Sequence, residues 1–227
     1  MAKILNLILY STDIPEYVQM KEILSKHLKR SKIEHYFYYY NSNQTEEFML
    51  KDDMLSIKGK ENDIPGILEK TLKSFEYFQN KEYDYIVRSD ISTVVNFKEL
   101  GGYLYSNPID YGGPLLCNNK LDKSSIKSEN YVSSTCIILS KKVVKTLIDN
   151  KAEVLNYEIA DDVSIGMYLH NNNITSFKIS IDSTDGYILN SDRPIKGKIA
   201  YKNKCSSRQD DVNRMNVLVF QLWYTPK

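Results

Sequence analysis

The fold class the sequence predicts is α/β, with a mostly parallel central sheet covered by helices on both faces. Three observations predict it. Ile4-Leu5-Asn6-Leu7-Ile8-Leu9-Tyr10 is a near-continuous apolar run that stops abruptly at Ser11-Thr12-Asp13, the pattern of a central strand buried on both sides. Strand-like and helix-like periods then alternate along the chain. Finally, the apolar Tyr85-Ile86-Val87 runs directly into Arg88-Ser89-Asp90-Ile91-Ser92-Thr93, a cation, a carboxylate and three hydroxyls in six residues. Ligands of open α/β sheets bind just outside the carboxyl ends of the strands, so a site is expected there.

Taken in order, Pro15 stands near a helix start, and Met20, Ile23, Leu24, His27 and Leu28 fall on one face of that helix. Ile33 to Tyr40 reads as an aromatic-rich strand, and Asp53 to Ile57 as a short strand closed by Lys58-Gly59. Pro65 opens an amphipathic helix with Ile67, Leu68, Thr71, Leu72, Phe75 and Phe78 on its apolar stripe. Adding the strand at Tyr85 completes the alternation of a Rossmann-like half. Phe97 to Tyr105 reads as a short helix, Tyr111-Gly112-Gly113-Pro114 as a turn or a close backbone approach to a ligand, and residues 117–130 as a polar, mobile loop. A strand follows over Tyr131 to Ser140, then a helix over Lys141 to Asn150 capped by Ser140, and a helix opened by Asp161-Asp162. Ile174 to Ile181 reads as a strand, and Asp210 to Tyr224 as the last helix. With no internal repeat or linker, residues 1–227 are expected to form one domain. Its halves would be 1–95 and 96–227, the latter ending in a C-terminal closing segment.

The composition excludes several classes. A net charge of +1 gives no basic field, so nucleic acid is not an expected partner. Cys117, Cys136 and Cys205 are odd in number and widely spaced, which argues against a disulfide framework or a zinc site and for a reducing compartment. Ile4 to Leu9 is too short for a signal peptide or a membrane span, and no later run approaches 18 apolar residues. The expectation is a soluble, cytoplasmic protein.

Two acidic positions stand out. Asp90 with Ser92 offers hard oxygen ligands at a strand end, which suit Mg²⁺ or Mn²⁺. Asp161-Asp162 fits either a helix cap with favourable charge at the positive end of the dipole, or a cap whose second carboxylate faces the cleft as a general base. Lys202, Lys204 and Arg208 fit either a solvated basic face or a flexible arm that folds over a diphosphate. Lys70 and Arg88 lie at the predicted cleft. Ser11, Thr12, Asp53 and Ser89 complete the cofactor-binding candidates. His27 and His35 look structural, and His170 reads as a cation at a helix C-terminus.

Five stretches together resemble nucleotide-sugar-dependent glycosyltransferases of the GT-A fold, of the fringe and β-1,3-galactosyltransferase-like group and of compact domains in large DNA viruses. They are Lys58-Gly59-Lys60-Glu61 with Gly66 to Thr71; Tyr85 to Ser92; Tyr111 to Pro114; Tyr131 to Thr135 through Leu139-Ser140; and Asp161-Asp162-Val163-Ser164-Ile165-Gly166. The resemblance implies a three-layer GT-A sandwich, a nucleotide-sugar donor (UDP in most of the group), a glycan or glycoconjugate acceptor, and Mn²⁺ or Mg²⁺. The family's Asp-x-Asp metal motif falls on Asp90-Ile91-Ser92, which lacks the second carboxylate, so Asp90 and Ser92 would face an ion held mainly by the donor diphosphate and water. Asp162 is the implied catalytic base and Asp161 its neighbour. The family's Ser-Gly strand position reads Ser133-Ser134 here. The implied reaction is inverting sugar transfer.

Asp90-Ile91-Ser92-Thr93 also resembles the nucleophile loop of haloacid-dehalogenase-type phosphohydrolases, but it comes late in the chain and lacks their second Asp. A third reading is a nucleotide-sugar-binding module without activity.

Overall fold

The structure is a computed structural model that describes residues 2–119, 129–181 and 184–224. The first half follows the predicted alternation. It comprises β1 (Ile4–Leu9), α1 (Glu16–Ser31), β2 (Glu34–Asn41), β3 (Phe48–Lys51), β4 (Met54–Lys58), α2 (Gly66–Phe78), β5 (Tyr85–Asp90) and β6 (Thr93–Val95). The next elements are α3 (Phe97–Ser106), β7 (Tyr111–Gly113), β8 (Leu116–Asn119), β9 (Glu129–Val132), β10 (Cys136–Ser140), α4 (Lys141–Asp149), α5 (Lys151–Leu155) and α6 (Asp161–Asn171). The chain then makes the short strands β11 (Phe177–Lys178), β12 (Ser180–Ile181), β13 (Thr184–Asp185), β14 (Tyr187–Leu189) and β15 (Ala200–Lys202), and closes with α7 (Arg208–Tyr224).

Eight strands form the central sheet in the order β11-β7-β10-β5-β1-β2-β4-β3. Four of its pairings are parallel, among them β1 with both β2 and β5. β10 runs antiparallel to both its neighbours, and β3 is an antiparallel edge. Register follows side-chain alternation. Ile4 and Ile8 of β1 face a layer containing Met20 and Leu24 of α1, Leu100 of α3 and Met215 of α7, whereas Leu5 and Leu7 face Leu72 and Phe75 of α2, Leu147 of α4 and Leu169 of α6. This is a mixed α/β sandwich of three layers with a mostly parallel central sheet, the fold class the sequence predicts. Because residues of one parity in β5 share a face, Ile86, Arg88 and Asp90 all lie on the α2/α6 side. A second, three-stranded sheet, β14-β15-β6, sits beside the end of β5.

Several expectations are corrected. The strand expected over Tyr131 to Ser140 is two strands, β9 and β10, separated by residues 133–135. Tyr111-Gly112-Gly113 is a buried strand and not a turn, and it is sheet neighbours that approach it. A Cβ on Gly112 would lie 2.5 Å from the Phe177 carbonyl oxygen of β11, and one on Gly113 2.5 Å from the Cys136 carbonyl oxygen of β10. The loop expected over 117–130 is flanked by the paired strands β8 and β9, and residues 120–128 lie outside the described residues. Ile174 to Ile181 divides into β11 and β12, while β3 and α5 have no counterpart in the predicted elements.

α7 is fastened to the rest through a histidine. His27 is buried on α1, its Nε2 lies 2.8 Å from the Val95 carbonyl oxygen, and the Trp223 indole N–H donates to its Nδ1 at 3.0 Å. A ring nitrogen that accepts from Trp223 while the other faces a carbonyl fixes the neutral Nε2–H tautomer. Burial pushes this imidazole below its ordinary value, against the pull of the Val95 hydrogen bond. Above the unfolded value of about 6.5 both states are neutral and the group adds no pH dependence; below it the unfolded chain gains a proton that the folded chain refuses. Stability measured by urea unfolding is therefore expected to fall as pH drops from 7 to 5.5, with a slope approaching about 1.4 kcal/mol per pH unit from this residue. In His27→Gln the slope should be smaller by that amount. An identical slope in the two proteins would refute the assignment.

Candidate active site

The site is built around a guanidinium that the sheet buries. Arg88 is 1% exposed, a placement that is strongly unfavourable for a charge unless it is paired. Its Nη1 donates to Asp90 Oδ1 at 2.8 Å and to the Ser134 carbonyl oxygen, and its Nη2 lies 2.7 Å from Asp161 Oδ2. One side chain thus joins the end of β5, the turn before β10 and the first residue of α6. Burial works against the charge, but Asp161, the Tyr38 hydroxyl and Asp90 outweigh it, so the group is held above its already high ordinary value. Burial likewise pushes the Asp161 carboxyl up, against the pull of Arg88 and reinforced by the like charges of Asp162 and Asp90.

Asp90 is the second node. Lys202 Nζ donates to its Oδ2 at 2.6 Å, while Arg88 occupies Oδ1. Burial raises the carboxyl, yet Lys202 and Arg88 outweigh it and hold it below the usual carboxylate range. The third node is Asp162. It is half-buried, accepts the Ser134 N–H at 2.9 Å on Oδ2 and the Val163 N–H at 2.9 Å on Oδ1, and sits beside Cys117, Tyr131 and Tyr111. Neither Asp supplies the side-chain cap of α6, whose cap residue is Ala160.

A cleft of about 480 Å³ opens at this edge, between the end of β1, the start of α1, Glu61, α2, Asp90 and β15. That volume is in the range of small-molecule sites. Its cations are Lys70, Lys202 and Arg208, and each has a carboxylate partner. Lys70, 2% exposed, is paired with Glu61 and lies 3.4 Å from the Tyr10 carbonyl oxygen; burial lowers its affinity for a proton against the pull of Glu61. Arg208 pairs with Asp211 at 2.9 Å and lies over the Tyr17 ring, 5.7 Å from its centroid.

Of the predicted site residues, the fold brings Asp90, Ser92, Ser11, Lys70, Lys202 and Arg208 to this cleft. Arg88 and Asp162 are not part of its lining; Arg88 reaches it through Asp90, and Asp162 follows Asp161, the other carboxylate partner of Arg88. Thr12 is not part of its lining, and Ser89 is buried, its hydroxyl donating to Asn6 Oδ1 at 3.2 Å. Lys204 is exposed and tied through its backbone N–H to Asn190, at 2.7 Å. Asp53 is corrected more fully. It lies at the β3–β4 turn, bound to Lys21 at 2.8 Å and Ser25 at 3.1 Å, and so fastens α1 to the sheet without reaching the cleft. The flexible arm is also corrected: Lys202 belongs to β15, which pairs with β6 and β14 because Ala200 and Tyr201 are buried. Sequence reasoning missed the pairing of Glu61 with Lys70 and the part of Tyr17; the first had a signal in the Lys-Gly-Lys-Glu stretch preceding α2, the second had none.

The donor set does not fit a divalent ion as it is arranged. Both Asp90 oxygens are occupied by cations, and among the described residues no group of three His, Cys, Asp or Glu side chains could hold a metal. Among the described residues no helix is long and apolar enough to cross a membrane.

No protein-family model matches the chain, and no curated protein matches it by sequence. Solved structures do match, at low identity. The inositol-1-phosphate CTP transferase from T. maritima is similar at 10% identity and a TM-score of 0.52, over 96% of this chain and 97% of that one. A glycosyltransferase involved in glycosylation of the major capsid of PBCV-1 is similar at 12% identity and a TM-score of 0.49, over 93% and 98%. Drosophila β1,4-galactosyltransferase 7, in complex with manganese, UDP-Gal and xylobiose, is similar at 12% identity and 0.45, over 82% and 68%. At these identities the likeness concerns the fold.

Removing the central cation should expose its structural weight. Arg88→Met leaves Asp161 buried without a partner and is expected to destabilise the chain by about 3–5 kcal/mol in urea unfolding. Arg88→Met combined with Asp161→Asn is expected to recover more than half of the loss. Additive losses in the double variant would contradict the pairing.

Proposed function

We propose that this chain is a glycosyltransferase that moves a sugar from a nucleotide-sugar donor, a UDP-sugar, to a hydroxyl of a glycan or glycoconjugate, with inversion at the anomeric carbon. One observation carries the reading: Arg88 joins Asp90, in the lining of a polar cleft of nucleotide-compatible size, to Asp161, the residue before the half-buried carboxylate of Asp162. Residues 1–95 would supply most of the donor side and residues 96–227 the acceptor side, with Lys202 and Arg208 reaching back to the donor.

In such a transfer the bond from the anomeric carbon to the diphosphate oxygen breaks, and negative charge grows on the leaving diphosphate. Positive groups placed beforehand stabilise that charge more than they stabilise the ground state. Lys202 and Arg208 are assigned this role, with Lys70 behind them. The acceptor hydroxyl attacks from the opposite face of the sugar and loses its proton in the same step. Asp162 is the group assigned to take it; its contact with the Ser134 N–H fixes the orientation of the carboxylate without neutralising it. Asp161, paired with Arg88, is assigned to positioning α6 and hence Asp162. The haloacid-dehalogenase reading loses its basis, since Asp90 carries two cation partners and so is poorly disposed to act as a nucleophile.

Asp162→Asn is expected to keep donor binding by calorimetry while transfer falls by about 10²–10⁴, the usual contribution of a general base. Asp90→Ala is expected to weaken donor binding by releasing Lys202. Parental transfer rates in both variants would sink the assignment, as would release of phosphate from simple phosphomonoesters.

A further inference from the structure

The disagreement between Asp90 and a metal site points to a specific substitute. We propose that the Lys202 ammonium, pinned by Asp90, takes the role of a divalent cation toward the leaving diphosphate, so that this chain binds its nucleotide without a metal. The inference rests on the transferase reading above and deepens it.

Three features carry it. First, position: Lys202 Nζ lies 2.6 Å from Asp90 Oδ2, the carboxylate at the strand end where an ion would be sought, and Lys202 lines the cleft. Second, a rival cation is disfavoured. Hard divalent ions need six or more oxygen ligands, whereas Asp90 spends both oxygens on Lys202 and Arg88, and an arriving ion would meet two positive charges. Third, the lysine is fixed. β15 registers Lys202 against Thr93 of β6 and Leu189 of β14, the Asn203 N–H donates to the Ser92 carbonyl oxygen at 2.9 Å, and the Asn190 N–H donates to the Lys202 carbonyl oxygen at 2.8 Å. An ammonium has three N–H donors and no acceptor, so a single bond to Asp90 leaves the others for phosphate oxygens. Preorganised charge of this kind needs no rearrangement during reaction.

The test uses the wild-type protein first. Uridine diphosphate is titrated by calorimetry in EDTA and in Mn²⁺, and uptake of Mn²⁺ alone is followed by its free-ion paramagnetic resonance signal. The expected dissociation constants agree within about twofold, well below the tenfold that each 1.4 kcal/mol represents, and the protein leaves the Mn²⁺ signal undiminished. Lys202→Met is expected to lose at least about tenfold in EDTA and to regain part of it in Mn²⁺, because an Asp90 oxygen becomes available; Lys202→Arg keeps binding in EDTA. A wild-type protein that binds the nucleotide only with Mn²⁺, that takes up Mn²⁺ in a manner abolished by Asp90→Asn, or that is matched by Lys202→Met in EDTA overturns the inference and leaves the transferase reading standing. Failure of uridine and guanosine diphosphates to bind in either condition overturns the transferase reading, and this inference with it.

Discussion

Arg88 is the constraint on which the site depends. A guanidinium placed inside a central strand has lost its water, and only charge partners delivered by the tertiary fold make that placement tolerable. The partners come from three directions: Asp90 two residues on, the Ser134 carbonyl before β10, and Asp161 at the start of α6. Satisfying one buried cation therefore fixes where β5 ends, how β10 enters the sheet and how α6 is seated. Asp162 inherits its position from that seating. The same interaction that the fold needs for stability thus sets the spacing between the cleft and the candidate base.

The cleft lining sets Lys70, Lys202 and Arg208 against Asp13, Glu61, Asp63 and Asp90, and each of the three cations has a carboxylate partner. Such pairing holds long, flexible cations in defined places before a ligand arrives. On the proposed reading a diphosphate would compete for N–H groups that are already oriented, with a smaller loss of side-chain entropy on binding. The disadvantage is a weaker field than an uncompensated divalent ion would give, which places more of the demand on geometry. β15 meets that demand, because a ladder-bound strand moves less than a free loop.

Much of this architecture was legible in the sequence. β1, α2 and β5 show clean periods, and their apolar faces decide their burial. The polar stretch from Arg88 to Thr93 announced an edge where chemistry could sit, and Asp161-Asp162 announced a helix start. What escaped has physical reasons. β3 is an edge strand with Met49 and Leu50 exposed, so it has no inward-outward alternation to read. Tyr111 to Gly113 looked like a turn because glycines usually mark one, yet here they admit the neighbouring strands. Asp53 resembles a site residue by type alone, since a sequence does not say which side of a sheet a turn will face. Lys202 looked mobile because the residues after it are polar; its strand pairing with Thr93 and its bond to Asp90, 112 residues away, are products of tertiary packing. The partnership of Arg88 with Asp161 is of the same kind: both residue types were visible and their meeting was not.

The central claim, that one buried guanidinium aligns a diphosphate cleft with Asp162, is tested most directly by a crystal structure of the chain with a uridine diphosphate sugar bound. The account predicts the diphosphate in the cleft within hydrogen-bond distance of Lys202 Nζ, the sugar turned toward Asp162, and Arg88 still bridging Asp90 and Asp161. A nucleotide seated elsewhere, such as the depression between Tyr83 and Lys142 at another edge of the sheet, or a sugar pointing away from Asp162, would contradict it.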